Sequence, residues 1–191
     1  MPDAERDLAD RQHRLLADEC ATEARAFVET VAGVAADGAA ETALPLLLLA
    51  TGQVQLMGAR LGAIADVVPA ERFEPDAAET DIEPLREGIA RLFDGLDDYV
   101  DLVDPVTSGE VATGSLSADL ATVTEALTHG LAHHADGRWS EALWWWQYSY
   151  LSVWGDRASS AHRVLLGLLA HVRLDADASE VADAESQALD A

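Results

Sequence analysis

The sequence predicts an all-α protein, folded as a single-domain bundle of about five helices. Apolar residues recur at spacings of three and four along most of the chain, which is the period of an amphipathic helix. All five tryptophans lie between residues 139 and 154, inside one such periodic stretch. A length of 191 residues suits one domain with a sizeable core. We therefore expect residues 1–174 to form a helical domain around a central Trp-rich fifth helix.

The first third of the chain predicts two helices. The first covers about residues 9–35 and ends at Asp37-Gly38, because glycine supplies the left-handed conformation common at helix C-termini. The second covers about residues 42–65. Gly58 and Gly62, four residues apart, are expected to let another helix approach this one closely.

The third predicted helix is the most regular of the five. Thr80 to Glu83 resembles a capping box, and apolar residues then repeat at spacings of three and four as far as Val103. Asp104-Pro105 is expected to end this helix. The opposite face is acidic and carries Asp94, Asp97, Asp98 and Asp101. These carboxylates could hold a hard cation, but the favoured interpretation is a solvated acidic face, since no glycine-containing Ca²⁺ loop frames them.

The fourth predicted helix begins at its N-cap, Ser117, and ends near His134. His129 and His133 lie one turn apart on it, which is the spacing that lets two imidazoles reach one metal ion. The possible third ligands are Glu125, Asp136 and His162. The HExxH pattern of zinc hydrolases is absent, so the favoured interpretation is that the histidines close the helix, where positive charge complements its dipole.

The fifth helix is predicted over about residues 139–173 and carries two stripes of large side chains. One stripe comprises Leu143, Trp146, Tyr150, Val153 and Arg157, and the other comprises Trp144, Tyr148, Leu151 and Gly155. Each buried aromatic side chain removes roughly 150–250 Å² from water, so we expect the second, third and fourth helices to enclose this one. The acidic tail, residues 175–191, has little to bury and is expected to be mobile or at most a loose helix.

The aromatic cluster of the fifth helix has two interpretations. It could line a ligand pocket, because indole N–H and tyrosine hydroxyl groups seek partners when buried. The candidate lining residues are Trp146, Gln147, Tyr150, Trp154, Arg157 and His162. Packing in the protein core is the favoured alternative. The chain contains no nucleophile elbow and no Walker or dinucleotide glycine pattern, so we predict no catalytic residue and no cofactor.

The net charge of −23 is large, and all twelve basic residues are arginines. GC-rich coding explains this bias; adaptation to high salt and imitation of nucleic-acid charge are the alternatives. Such a surface repels phosphate backbones and anionic lipids, so we expect no direct contact with nucleic acid or membrane. The most apolar run, Ala43–Ala50, is too short to span a bilayer, and no signal peptide is visible. The single Cys20 fits a reducing compartment, which favours a cytoplasmic location.

One longer motif extends across the fourth and fifth helices. It reads Gly130-Leu-x-His-x-x-x-Gly-x-x-x-Glu-Ala-Leu-Trp-Trp-Trp-Gln-Tyr-Ser-Tyr150 and is followed by Trp154-Gly155 and an alanine-rich tail. This order resembles the 5063 family of domains of unknown function, with similarity over about residues 20–174. That family has no established activity. The resemblance implies a bacterial, cytoplasmic, helical protein and supplies no catalytic residues.

These observations favour a non-enzymatic cytoplasmic interaction or regulatory protein, whose acidic surface docks a basic protein partner. The alternative is a small-molecule-binding or metal-dependent enzyme that uses His129 and His133 or the aromatic cluster of the fifth helix. The sequence specifies neither the identity of the partner nor an oligomeric state.

Overall fold

The computed structural model describes residues 3–69, 80–103, 106–107 and 109–189. The chain is predominantly helical with one small two-stranded sheet, which confirms the all-α prediction. The helices are α1 (Asp3–Asp37), α2 (Ala40–Ala63), α3 (Glu83–Leu92), α4 (Leu116–Ala135), α5 (Trp139–Ser149) and α6 (Gly155–Leu189). The strands are β1 (Asp98–Leu102) and β2 (Val111–Ser115).

A π-helical segment, Tyr150–Trp154, joins α5 to α6 without a break. The three pieces together form the fifth helix that the sequence predicts. α6 continues to Leu189, so the backbone of the predicted tail, residues 175–191, is helical up to that residue. The mobility of this tail stays a prediction.

The continuous helix formed by α5, the π-helical segment and α6 lies at the centre of the packing. α5 contacts α4, α1 and α2, and α6 contacts α2 and α4. The third helix was also expected to enclose the Trp-rich helix, but α3 packs chiefly against α1 and α4. The first helix therefore takes the place that the third was predicted to hold against α5.

Two glycines allow helices to approach within van der Waals contact of the aromatic rings. A Cβ atom added at Gly58 of α2 would lie 2.4 Å from the ring of Tyr150 and 2.7 Å from Trp154. A Cβ atom added at Gly130 of α4 would lie 2.0 Å from the indole nitrogen of Trp146. The close approach predicted at Gly58 is thus confirmed, and a second one at Gly130 joins α4 to α5.

α2 is apolar along most of its length, and the run Ala43–Ala50 is only its first part. Residues Thr42–Ala63 are long and apolar enough to cross a membrane by length and composition alone, a test that the core helix of a soluble protein also passes. In this fold 39% of the most apolar window is buried, and α2 packs against α1, α5 and α6.

The region predicted as the second half of the third helix is a β-hairpin instead. α3 ends at Leu92, and Gly95 follows with φ +77°, a left-handed conformation that stops the helix. β1 pairs antiparallel with β2, Asp98 facing Ser115 across the ladder. In the hairpin, residues 98–102 alternate between exposed and half-buried positions with the period of a strand, so the helical prediction was wrong for this segment. Asp104-Pro105, predicted to end the helix, lies outside the described residues.

The acidic helix face predicted from the aspartates is consequently also wrong. Asp94 and Asp97 lie in the turn after α3, whereas Asp98 and Asp101 lie on opposite faces of β1. A face shared by all four carboxylates would require the helix to continue, and Gly95 prevents this.

Ser115 is the N-cap of α4, two residues before the predicted Ser117, and its hydroxyl accepts a hydrogen bond from the Ala118 N–H at 3.3 Å. The carboxylate of Asp97 accepts further hydrogen bonds from the Ser117 N–H and the Ser117 hydroxyl, both at 2.7 Å. The start of α4 is therefore capped by its own N-cap residue and by a side chain from the turn after α3.

The start of α3 also differs from the prediction. In place of the capping box predicted at Thr80 to Glu83, the Asp81 carboxylate accepts a hydrogen bond from the Glu83 N–H at 3.1 Å.

The close contact at Gly130 makes a prediction about stability. Gly130→Ala places a methyl group against the fully buried indole of Trp146, so we expect the free energy of unfolding to fall by about 1–3 kcal/mol. The matched control is Gly33→Ala in α1, where an added Cβ meets nothing within 4 Å. That variant should gain about 0.5–1 kcal/mol, because alanine is the better helix former. Urea denaturation measures both values, and equal effects at the two sites would contradict the packing described here.

Candidate functional site

The π-helical segment decides which aromatic residues of the fifth helix face the core. Eight residues of regular α-helix would rotate Trp154 by roughly 80° from Trp146, whereas one extra residue in the π turn brings the two nearly into line. Both indoles are fully buried, and the Trp154 N–H donates to the Trp146 carbonyl at 3.3 Å. The predicted stripe therefore breaks: Val153 is 45% exposed, and the buried face continues from Trp154 to Ala158.

Gln147 lies on the buried side of α5 and holds the end of α2. Its side-chain amide donates to the Leu61 carbonyl at 2.9 Å, and its amide oxygen accepts from the Val67 N–H at 2.9 Å. The same amide group lies 3.4 Å from the Ile64 and Ala65 carbonyls. A single glutamine thus satisfies the carboxyl end of one helix and the loop that leaves it.

The outer side of α5 and of the π-helical segment forms a groove with the loop after α2. We call it the aromatic groove; its volume is about 340 Å³. Its lining residues are Asp66, Val67, Val68, Trp144, Gln147, Tyr148, Leu151 and Ser152. The rings of Trp144 and Tyr148 stack in parallel, with centroids 5.1 Å apart and planes 2° apart. Tyr148 remains 55% exposed, so an aromatic ring with a fixed orientation is presented to solvent.

The six residues predicted to line a ligand pocket lie in separate environments. Trp146 and Trp154 are core residues, and Tyr150 packs half-buried against Trp154 with ring centroids 4.8 Å apart. His162 faces α2, where its Nδ1 lies 2.9 Å from the Thr51 hydroxyl. Gln147 is the member of this set that lines the aromatic groove.

Arg157, the last of the six, belongs to a polar cluster that joins the hairpin to α4 and α6. Its guanidinium lies 3.2 Å from the Asp119 carboxylate, which also accepts a hydrogen bond from the Tyr99 hydroxyl. Asp119 is 1% exposed, and burial raises its pKa above the ordinary value, although the bonds from Tyr99 and Arg157 oppose the shift. Burial and the neighbouring Asp119 likewise raise the pKa of Tyr99.

The pKa of Asp101, the second carboxylate of the cluster, is shifted in the opposite direction to that of Asp119. Its oxygen accepts from the Ser160 hydroxyl at 2.5 Å and pairs with Arg163 at 2.8 Å. These hydrogen bonds lower the pKa of Asp101, the bond from Ser160 contributing most. The Arg163 guanidinium also lies 5.7 Å from the centre of the Tyr99 ring. This cluster was not predicted because Tyr99 and Asp101 were assigned to a helix, and the sequence of residues 98–102, Asp-Tyr-Val-Asp-Leu, has no polar–apolar alternation that would have indicated a strand.

The two histidines considered as metal ligands do lie together on α4, their ring centroids 5.1 Å apart. His133 Nδ1 is 3.3 Å from the Glu141 carboxylate, and the His129 ring packs 4.0 Å from that of Trp145. The same Glu141 oxygen also pairs with the Arg138 guanidinium at 3.0 Å, so its charge is already shared with a cation. Within the described part of the chain, no group of three or more His, Cys, Asp or Glu side chains is arranged to hold a metal ion.

Taken together, the fold and the groove define a class of protein: a helical bundle with an inserted β-hairpin and a solvent-facing groove built on a π-helical segment of its Trp-rich helix. The chain belongs to the family described as Domain of unknown function (DUF5063), which matches residues 11–171. The resemblance inferred from the motif is therefore confirmed.

The fold recurs in a solved structure. The crystal structure of protein BF1032 from Bacteroides fragilis superposes with a TM-score of 0.63 and 17% sequence identity, over 78% of this chain and 89% of that one. At this identity the likeness concerns the fold alone. No curated protein matches the sequence.

The buried Asp119 predicts a pH dependence of stability. The pKa of Asp119 is higher in the folded protein than in the unfolded chain, so between these two values the folded protein binds more protons. The free energy of unfolding therefore falls as the pH rises through that interval. Asp119→Asn removes this titration, so the variant should gain stability relative to the wild type as the pH rises from about 3 to about 7. Urea denaturation at a series of pH values measures the difference.

Asp10→Asn, at an exposed position of α1, controls for the loss of one negative charge. If Asp119→Asn instead lost stability relative to the wild type with rising pH, the ion pair with Arg157 would outweigh the effect of burial.

Proposed function

We propose that this protein is a non-enzymatic cytoplasmic interaction module that binds a basic segment of a partner protein in the aromatic groove. The observation that carries the proposal is the stacked pair of the half-buried Trp144 and the exposed Tyr148, which lines the same groove as Asp66. The fifth helix thus has a buried aromatic side for the fold and an exposed aromatic side available for recognition.

The exposed lining of the aromatic groove, from the fifth helix and from the loop after α2, is more apolar than solvation requires. Val68 is 79% exposed, Leu151 is 67% exposed and Tyr148 is 55% exposed, all along one groove. Contiguous exposed apolar surface with a polar rim is typical of interaction sites. Tyrosine and tryptophan are also the residues that most often contribute the binding energy at protein interfaces.

The charge of the groove and of the whole chain favours a cationic partner. Asp66 at the rim is exposed, and the chain carries a net charge of −23. A guanidinium or ammonium group over an aromatic face gains about 0.5–2 kcal/mol, and a nearby carboxylate adds to this attraction. The long-range field of an acidic protein also increases the rate at which a basic partner arrives.

The polar groups inside the groove support binding rather than catalysis. The Gln147 amide is committed to the end of α2, and the Ser152 hydroxyl donates to the Tyr148 carbonyl at 2.8 Å. These bonds fix the groove before a partner arrives, which reduces the entropy lost on association. The buried thiol of Cys20, whose pKa burial raises to about 12, suits a structural role and is compatible with the proposed cytoplasmic location.

The proposal predicts which peptides the protein selects. A random library of 12-residue peptides displayed on phage, panned against the protein, should become enriched in sequences that combine arginine or lysine with apolar residues. Tyr148→Ala should weaken the selected peptides by roughly 2- to 30-fold, which corresponds to the loss of one cation–π contact. Asp66→Asn should also weaken them, and fluorescence anisotropy of labelled peptides measures each dissociation constant.

Leu166→Ala is the matched control, because Leu166 is 52% exposed on α6 and does not line the aromatic groove. It should leave binding unchanged. Library enrichment without basic residues, or basic peptides that bind Tyr148→Ala as tightly as the wild type, would refute the proposal. The second result would indicate charge attraction spread over the whole acidic surface, which salt weakens regardless of the groove.

A further inference from the structure

A second groove lies between the first turns of α2, the end of α3 with the turn that follows it, and the middle of α6. We call it the apolar groove; its volume is about 500 Å³. Its lining residues are Leu44, Pro45, Leu92, Phe93, Leu96, Leu168, Leu169, His171, Val172 and Arg173. Several of these side chains remain open to solvent, Leu96 being 55% and Val172 62% exposed. The volume falls in the range of sites that hold small organic ligands, about 300–1,000 Å³.

The charge of the apolar groove is opposite to that of the protein. The chain has 35 acidic residues against 12 arginines, yet the lining of this groove includes Arg173 and no acidic side chain. His171 and Arg173 are two positions apart on α6, about 200° around the helix, so they lie at different edges of the groove, and Arg173 supplies its permanent positive charge. The remaining lining is aliphatic apart from Phe93, which is a surface suited to a hydrocarbon chain.

The dimensions of the groove favour a single chain over a larger partner. An α-helix with its side chains is about 10–12 Å across, and a stable protein interface buries about 800 Å² on each side, so a docked helix needs a longer surface than ten residues provide. A bilayer is disfavoured because a protein of net charge −23 is repelled by anionic leaflets. A free amphiphile with one alkyl chain and one negative charge matches both the size and the polarity.

We propose that the apolar groove is a binding site for a free alkyl carboxylate, whose chain lies against Leu44, Phe93 and Leu168 and whose carboxylate binds Arg173. Arginine binds a carboxylate through two parallel N–H groups, which places the head group at the α6 side of the groove. This site is separate from the aromatic groove: the two share no lining residue and have opposite charge preferences. It therefore stands independently of the basic partner proposed above.

Isothermal titration calorimetry with octanoate, decanoate and dodecanoate tests the site, each ligand being kept below the concentration at which it forms micelles. Affinity should rise about three- to fourfold for each methylene group that enters the groove. Arg173→Gln should weaken decanoate about tenfold and leave the uncharged decanol unchanged, because only the head-group contact is lost. Leu96→Asp, at an exposed position, should abolish decanoate binding by placing a negative charge in the lining.

Arg14→Gln is the control for the loss of one positive charge, since Arg14 is an exposed residue of α1 and does not line the groove. It should bind decanoate as the wild type does. Affinity that does not depend on chain length, or an equal loss in both arginine variants, would overturn the proposal. Sedimentation of the protein with uncharged phosphatidylcholine vesicles, in place of binding to the free acid, would overturn it as well.

Discussion

The contact between Trp146 and Gly130 is the constraint on which the bundle depends. The absence of a side chain at Gly130 lets the indole lie directly on α4, where its N–H donates to the Leu127 carbonyl at 3.2 Å. The neighbouring Trp145 donates to the Ala126 carbonyl at 2.9 Å, one residue earlier on the same helix. Two consecutive indoles thus fix α5 along α4 both by shape and by hydrogen bonds, and a buried polar N–H is left satisfied in each case.

The π-helical segment transmits this constraint to the rest of the chain. Without its extra residue, the buried stripe of α5 would continue onto Val153 and Arg157, and α6 would present a half-polar face to α2 and α4. With it, Trp154 continues the core begun by Trp146, and Gly58 of α2 receives the aromatic rings. Tyr148 lies two residues after Trp146 in the regular helix α5 and therefore faces outward, and Leu151 and Ser152 of the π-helical segment extend the aromatic groove beside it.

The two grooves show how charge can be distributed on an acidic protein. The aromatic groove has one carboxylate at its rim, in keeping with the overall charge, and suits a cation. The apolar groove is lined without any acid, and its lining includes the cationic Arg173, which suits an anion with a hydrocarbon chain. A net charge of −23 therefore describes the field felt at a distance, and the local lining decides what each groove can bind.

Apolar periodicity in the sequence determined the helical class, the bounds of the second and fourth helices within about two residues and the central place of the tryptophans. It also located the first and fifth helices, but the first begins six residues earlier than predicted and the fifth continues to Leu189. Three features depended on tertiary structure: the hairpin formed by residues 98–102 and 111–115, the π-helical register and the cluster around Asp119. Each rests on a contact between residues distant in sequence, such as Tyr99 with Asp119 or Gln147 with the end of α2. Local periodicity does not contain such contacts, because the free energy that favours them is gained only when the separate elements have packed together.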